Sequence, residues 1–374
     1  MIEHAEIFPL PAIDWGGGDI RDATLLAITT PDGLTGLGSA YTDAGRVQEA
    51  FAGYRDDPRV LLATDAETTI AMSAIDIALW DIRGKEQGLP VSELLGGRKR
   101  DRVLAYATVD LPMTEGRPGD RFDQLLRSCI DEGFRAIKLC IEGFGLRDDS
   151  LSHKEWDRRE EGLLAFARKI VGDDVQLMLD VYASVPGWTA DLDWALQTAS
   201  VLEALDYVWF EEPLPPRSFD DFVRLTQSTD IAIAGAEDFI ILEDFRNAAN
   251  RKGLNILQPD CTRVGGLTQM QAIRELATRN GLHVIPHGWN TAVGLAADQQ
   301  FQATIAGDKD GMVEVWPDRT ITDLLENNPF KLDADGKIAV PTGPGLGVAA
   351  VSYTHLTLPT TDVVGCCGGG GGVW

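Results

Sequence analysis

The chain has 374 residues, 33 of them Lys or Arg against 58 Asp or Glu, for a net charge of −25. Such an acidic balance excludes a generic nucleic-acid binder, which needs a basic face to displace counterions, and argues against docking on anionic lipid. No apolar run approaches the roughly 20 residues that span a bilayer, and the start MIEHAEIFPL has neither a basic n-region nor a long apolar h-region.

Residues 1–101 read as an α+β module. Three strand segments (AEIFPLPAI, ATLLAITT and GLTGLGSAY) surround a Pro31-Asp32-Gly33 turn, and helices follow, among them AMSAIDIALWDIRGKEQG. From residue 102 to about 328 the pattern changes. Short apolar strands (RVLAYATV, FRAIKLC, VQLMLDVY, YVWFEEP, IAIAGAE, LNILQPD, HVIPHG and MVEVW) alternate with helix-period segments, several of which end at a Gly. Eight strands alternating with helices predict a parallel sheet closed as a TIM-like (β/α) barrel, an α/β fold. An open doubly wound sheet would want a Gly-rich phosphate turn after its first strand, and DLPMTEGRPG has no GxGxxG. Residues 329–350 return to strand and turn character and are expected to pack back on the N-terminal module. Residues 351–374 end in Cys366-Cys367 followed by five glycines. A glycine run is costly to order and buries nothing, so this segment reads as a non-native tail. The remaining cysteines, Cys129, Cys140 and Cys261, have no zinc-like spacing, which predicts a reduced, cytoplasmic protein without disulfides.

Polar residues recur at the C-terminal ends of the barrel strands: Lys138, Asp180, Glu211, Glu237, Asp260, His287 and Glu314. From Asp180 onward they stand about one βα unit apart, so a barrel brings them to one mouth, where barrel active sites lie. Asp180, Glu211 and Glu237 are three carboxylates on successive strands. They repel one another unless a cation is present, and an all-oxygen donor set suits Mg²⁺. A zinc hydrolase would want a His-x-His on the first strand, which reads AYATV. Asp260 beside His287 makes a general base, the carboxylate fixing the imidazole tautomer. Lys138 supplies a cation for an anionic substrate, and Glu314 is expected to meet a substrate carboxylate in its protonated form. Glu212 and His283 are read as structural.

These residues lie in stretches that resemble the enolase superfamily, in its mandelate racemase/muconate lactonizing enzyme group: SAIDIALWDIRGKEQGLPVSELLGG in the N-terminal module, then GFRAIKL, LMLDVY, WFEEPLPP, IAGAED, QPDCTRVGG, PHGWNTAVGLAA and the Glu of MVEVW. The resemblance spans about residues 1–347. It implies an enolase-type modified barrel under an N-terminal capping domain whose loops, near Trp15–Asp22 and Ala40–Arg46, choose the substrate. It implies that Asp180, Glu211 and Glu237 hold Mg²⁺, that Asp260–His287 is the acid/base dyad, that Glu314 partners the substrate carboxylate, and that the reaction runs through an enediolate. Lys138, Glu314, Tyr182 and Arg263 form the substrate-facing set, and a homo-oligomer is expected.

Three departures narrow the chemistry. The second-strand Lys-x-Lys of many relatives is Lys138-Leu139-Cys140, the sixth-strand lysine is Arg263, and the segment between about Arg46 and Thr69 is short. With one strong base, the sequence favours a sugar-acid (aldonate or aldarate) dehydratase. A lactone cycloisomerase of the galactarolactone type is the runner-up, a racemase or epimerase comes third, and an inactive metal-binding relative with a defective cap is the non-enzyme alternative.

Overall fold

The computed structural model describes residues 4–10, 13–14, 20–56, 65–112, 120–141, 153–183, 191–288, 291–307, 311–315, 325–326 and 330–349. The expected tail, part of the 15–22 loop and part of the shortened 46–69 segment lie outside the described residues. The N-terminal module is a three-stranded antiparallel sheet in the order β1-β4-β5 (His4–Pro9, Thr24–Thr29, Thr35–Ala40), with a two-residue ribbon of β2 (Ile13–Asp14) and β3 (Ile20–Arg21) beside it. Helices α1 (Ala44–Asp56), α2 (Ala66–Gln87) and α3 (Val91–Leu94) follow. Asp65 caps α2 by accepting the Thr68 N–H at 2.9 Å, a bond worth about 1 kcal/mol. Ala71, Met72, Ala74, Ile75 and Ala78 of α2 are buried with Leu26 and Ile28 of β4. The helix can approach β5 because Gly38 has no side chain: a Cβ there would stand 1.8 Å from the Ala74 carbonyl oxygen.

Eight parallel strands make the barrel: β6 (Arg102–Leu111), β7 (Ala136–Ile141), β8 (Gln176–Asp180), β9 (Trp209–Glu211), β10 (Ala232–Gly235), β11 (Ile256–Leu257), β12 (His283–Val284) and β13 (Met312–Glu314). Each pairs with the next from β6 to β12, and β13 returns to pair with β6, Glu314 opposite Tyr106. Helices α4 (Asp120–Glu132), α5 (His153–Val171), α6 (Leu192–Ala204), α7 (Phe219–Ser228), α8 (Leu242–Arg251), α9 (Gly266–Asn280) and α10 (Ala292–Gln302) connect them. Among the described residues β12 and β13 share no ladder, but Gly288 N, beyond β12, donates to Glu314 Oε2 of β13 at 3.1 Å, joining the two ends. The interior is floored by Leu104, Tyr106, Met178, Trp209, Ile256 and Met312, all buried. Burial of each of the larger side chains among them is worth about 1.5–3 kcal/mol. The floor leaves the polar residues of the strand ends as the layer above.

The module and the barrel are riveted by buried polar groups. Asp76 of α2 accepts from Thr268 N at 2.9 Å and Thr268 Oγ1 at 2.5 Å. Ser39 and Thr291 pair through their hydroxyls at 2.9 Å, and Tyr41 N donates to the Thr262 carbonyl at 3.1 Å. The C-terminal segment touches both parts: β14 (Lys337–Ala339) pairs antiparallel with β6, while Leu346 N donates to Asp81 of α2 at 2.8 Å. No helix among the described residues is long and apolar enough to cross a membrane.

Candidate active site

Asp180 and Glu211 are the last residues of β8 and β9, and Glu237 stands two residues beyond β10. The backbone bends sharply at all three places. Tyr182 (φ 52°), Glu212 (φ 41°) and Ala236 (φ 84°) are non-glycine residues in the left-handed region, each costing on the order of 1–3 kcal/mol. Hydrogen bonds between successive turns hold them. Val181 N and Ala183 N donate to the Glu211 and Glu212 carbonyls at 3.1 Å, Glu212 N to the Ala234 carbonyl at 3.0 Å, and Ala236 N to Glu212 Oε1 at 3.3 Å. Glu212 thus makes the structural contact expected of it.

The result is that Asp180, Glu211 and Glu237 each present one carboxylate oxygen, all within 4.8 Å of one another. All three are buried. Burial, then the charge of Glu211, push the Asp180 pKa up; burial also pushes Glu237 well up, against the opposing pull of His287. Trp209 Nε1 donates to Glu211 Oε2 at 2.8 Å and fixes that side chain. A buried trio of hard oxygen donors this close together, two of whose members, Asp180 and Glu237, are pushed up by burial, fits a divalent cation.

Lys138 lies elsewhere than expected. It is in the middle of β7, not at a rim, and its side chain is 2% exposed. Nζ reaches Glu211 Oε1 at 2.7 Å, Asp180 Oδ2 at 3.0 Å and Glu314 Oε1 at 3.4 Å. Glu314 shares this cluster. Burial raises its pKa, but Lys138, His287, Thr108 Oγ1 (which donates to Oε1) and the Gly288 N–H together hold it below the usual carboxylate range. Without substrate it is thus held toward the ionised form.

Across the mouth, His287 Nδ1 meets Asp260 Oδ2 at 2.9 Å. Thr262 N and Oγ1 both donate to Asp260 Oδ1 at 2.7 Å. The imidazole then turns Nε2 to within 3.6 Å of Glu237 Oε2. Burial lowers the His287 pKa, but Glu237 and then Asp260 outweigh it and raise the group to about 9. Asp260 itself, despite burial, is held low by His287, Arg263 and Thr262. Arg263 Nη2 pairs with Asp238 Oδ1 at 2.9 Å, and its guanidinium lies 5.8 Å over the ring of Tyr41 from the N-terminal module. Tyr182 is half-buried, its N–H donating to Asp180 Oδ1 at 3.0 Å. Burial pushes the Cys140 thiol well up, so it is neutral and no base. His283 is exposed.

Four contributors escape the sequence reading: Thr108, Trp209, Asp238 and Thr262. Thr108 and Trp209 each sit two residues from an inward-facing neighbour (Tyr106 and Glu211), so strand alternation carries their signal. Thr262 stands two residues after Asp260, where a side chain and N–H can both reach an Asp carboxylate in a local turn.

The chain is similar to known proteins over nearly its whole length. Residues 121–352 match the enolase C-terminal domain-like family, and residues 58–96 match the N-terminal domain of mandelate racemase/muconate lactonizing enzymes. D-galactarolactone cycloisomerase of Agrobacterium fabrum is 34% identical, with 88% of this chain and 89% of that protein covered. D-gluconate dehydratase of Thermoproteus tenax is 30% identical over 82% of this chain, which spans only 59% of that protein's length. Among solved structures, 3,6-anhydro-D-galactonate cycloisomerase from Zobellia galactanivorans superposes with a TM-score of 0.74 at 26% identity, covering 93% of this chain and 96% of that one.

Proposed function

The chain belongs to the mandelate racemase/muconate lactonizing enzyme group of the enolase superfamily, and from that premise we propose that it removes the α-proton of a sugar acid or sugar lactone with His287 and expels an oxygen from the β-carbon. The observation that carries this is the Asp260–His287 pair at 2.9 Å, whose other ring nitrogen lies 3.6 Å from Glu237 of the carboxylate trio. Asp180, Glu211 and Glu237 would hold Mg²⁺. When bound it supplies the positive charge that stabilises an enediolate.

The chain's own residues do the rest. Asp260, clamped by Thr262, keeps the proton of the neutral imidazole on Nδ1, so Nε2 is the basic nitrogen. Charge neutralisation at Glu237 lowers the His287 pKa from about 9 toward the working range of a base. After abstraction the proton rests on Nε2, from which it can be returned to the departing oxygen. Lys138 offers the substrate carboxylate a cation. Cys140, neutral, gives the reaction no second base, which favours elimination over direct racemisation.

The leaving oxygen separates the two leading readings. In a cycloisomerase it stays tethered as the ring oxygen of the lactone or ether; in a dehydratase it leaves as water. Similarity to D-galactarolactone cycloisomerase, which covers both chains almost fully, favours the tethered oxygen. Similarity to D-gluconate dehydratase supports a dehydratase as the second reading. Proton NMR in D₂O with Mg²⁺ and pooled sugar lactones, anhydro acids and aldonates tests both, with His287→Asn as control. Lactone or anhydro acid consumed to a deuterated keto acid supports the cycloisomerase. A 2-keto-3-deoxy acid from an open-chain aldonate moves the assignment to dehydratase, and no turnover in any pool overturns both.

A further inference from the structure

The ammonium of Lys138 is shared between carboxylates of two different kinds. Glu211 Oε1 at 2.7 Å and Asp180 Oδ2 at 3.0 Å belong to the cation-binding trio. Glu314 Oε1, at 3.4 Å, does not. A lysine head is a compact point charge with three donors on a flexible stem, so it can shift between anions a few ångströms apart while its stem stays where β7 puts it, between Thr108 of β6 and Met178 of β8. A carboxylate oxygen that accepts from an ammonium also offers its lone pairs to a metal ion, and two cations that close repel one another strongly in a buried site. Glu314 is meanwhile held ready as an ionised partner, fixed from other sides by Thr108 and Gly288.

We propose that Lys138 competes with the divalent cation for Asp180 and Glu211, and that entry of the cation moves the ammonium onto Glu314. The inference rests on the reading of Asp180, Glu211 and Glu237 as metal ligands. It makes metal affinity a property tuned by Lys138. It also orders binding: the cation arrives first, and the displaced ammonium, now beside Glu314, is the seat for the substrate carboxylate.

The test is Mg²⁺ binding alone, by titration calorimetry, without substrate. Lys138→Met removes the competing charge while keeping the stem, and its Mg²⁺ dissociation constant is expected to fall at least about tenfold. Glu314→Gln removes the ammonium's second seat and is expected to weaken Mg²⁺ binding several-fold. That penalty should vanish in the Lys138→Met/Glu314→Gln double variant, because it acts through the lysine. Unchanged or weaker Mg²⁺ affinity in Lys138→Met overturns the proposal. So does a Glu314→Gln penalty that persists in the double variant, which would mark plain long-range charge. Melting temperatures guard against a folding defect: the chelated Lys138→Met protein is expected to melt below wild type and saturating Mg²⁺ to close the gap, whereas an equal deficit with and without Mg²⁺ means the lysine merely packs and overturns the competition. Wild-type protein that gives no Mg²⁺ heat at all overturns the metal-ligand reading, a pattern distinct from equal binding by wild type and variant.

Discussion

Thr262 donates twice to one oxygen of Asp260, from its backbone N–H and from Oγ1, each at 2.7 Å, and leaves the other oxygen to His287. The two bonds hold the carboxylate's orientation toward His287, so the imidazole tautomer is fixed. Asp260→Asn is expected to lower kcat by about 10²–10⁴, the span of general-base catalysis. Thr262→Val is expected to cost roughly tenfold, since one of two clamping bonds remains, and Thr262→Ser to restore most of it. The pH profile adds a second readout. His287, raised to about 9, is protonated below that value and becomes a base as pH rises, so the rate climbs with pH on its acid limb. A cation on Glu237 removes part of the raising charge and places the limb below 9; Asp260→Asn removes more and moves it lower still. Initial rates of the three variants across pH 5–10 check both statements.

The carboxylate trio predicts a separation between stability and metal response. Burial pushes the Glu237 pKa well up, against the pull of His287, so its charge is unwelcome in the fold unless matched. Glu237→Gln is therefore expected to melt no lower than wild type in chelator. Wild type should gain stability with Mg²⁺, about 2.7 kcal/mol at a hundredfold excess over its dissociation constant, and Glu237→Gln should gain little of it. Thermal melts of both proteins, in chelator and in Mg²⁺, make the comparison. A variant that keeps the full Mg²⁺ response would remove Glu237 from the ligand set.

The regular spacing of acidic residues and a histidine at strand ends made the barrel and the grouping of Asp180, Glu211, Glu237, Asp260 and His287 legible, because a barrel converts sequence interval into convergence on one mouth. What lay across the barrel was not legible. Lys138 and Glu314 stand on strands separated by β6, and only closure of the sheet sets their 3.4 Å approach. The lowering of the Glu314 pKa follows from that approach and from Thr108 and Gly288, none of which the residue alone reveals. Strand lengths were overestimated as well: β11 and β12 hold only two residues each, the chain leaving the ladder before the prolines Pro259 and Pro286, which lack the N–H a ladder needs.

Asp76 gives a stability prediction with a definite sign. It is 5% exposed, and burial raises its pKa from 3.8 to about 6 against the lowering pull of Thr268. The folded state thus binds the proton more tightly than the unfolded chain does. The stabilisation tied to that proton is full below 3.8 and is lost as pH rises through about 6. Between pH 8 and pH 5 wild type should gain about 1.4 kcal/mol from this group relative to Asp76→Asn, which has no proton to exchange there. Urea unfolding of both proteins at the two pH values isolates the effect, because the other titrating groups cancel in the double difference. A constant difference would mean that the contacts with Thr268, and not the charge, govern Asp76.

Gly288 links the proposed base to the opposite carboxylate, following His287 in the chain and donating its N–H to Glu314 Oε2 at 3.1 Å. The two segments touch so closely that a Cβ on Gly288 would lie 2.6 Å from the Glu314 Cβ and 3.2 Å from its carbonyl oxygen. Neither atom is the end of a flexible side chain, so Gly288→Ala must push the His287 turn and β13 apart. A displacement on the scale of an ångström at reacting groups costs about 10²-fold in rate. Gly288→Ala is therefore expected to lower kcat by about that factor, with a smaller change in KM, because the base moves while Lys138 still meets the substrate carboxylate. Gly162→Ala on α5, where nothing lies within 4 Å of the added Cβ, is the matched control and should keep wild-type kcat. If both variants turn over at the wild-type rate, the seam at Gly288 is loose enough to absorb a methyl group, and the spacing between His287 and Glu314 is not what limits the reaction.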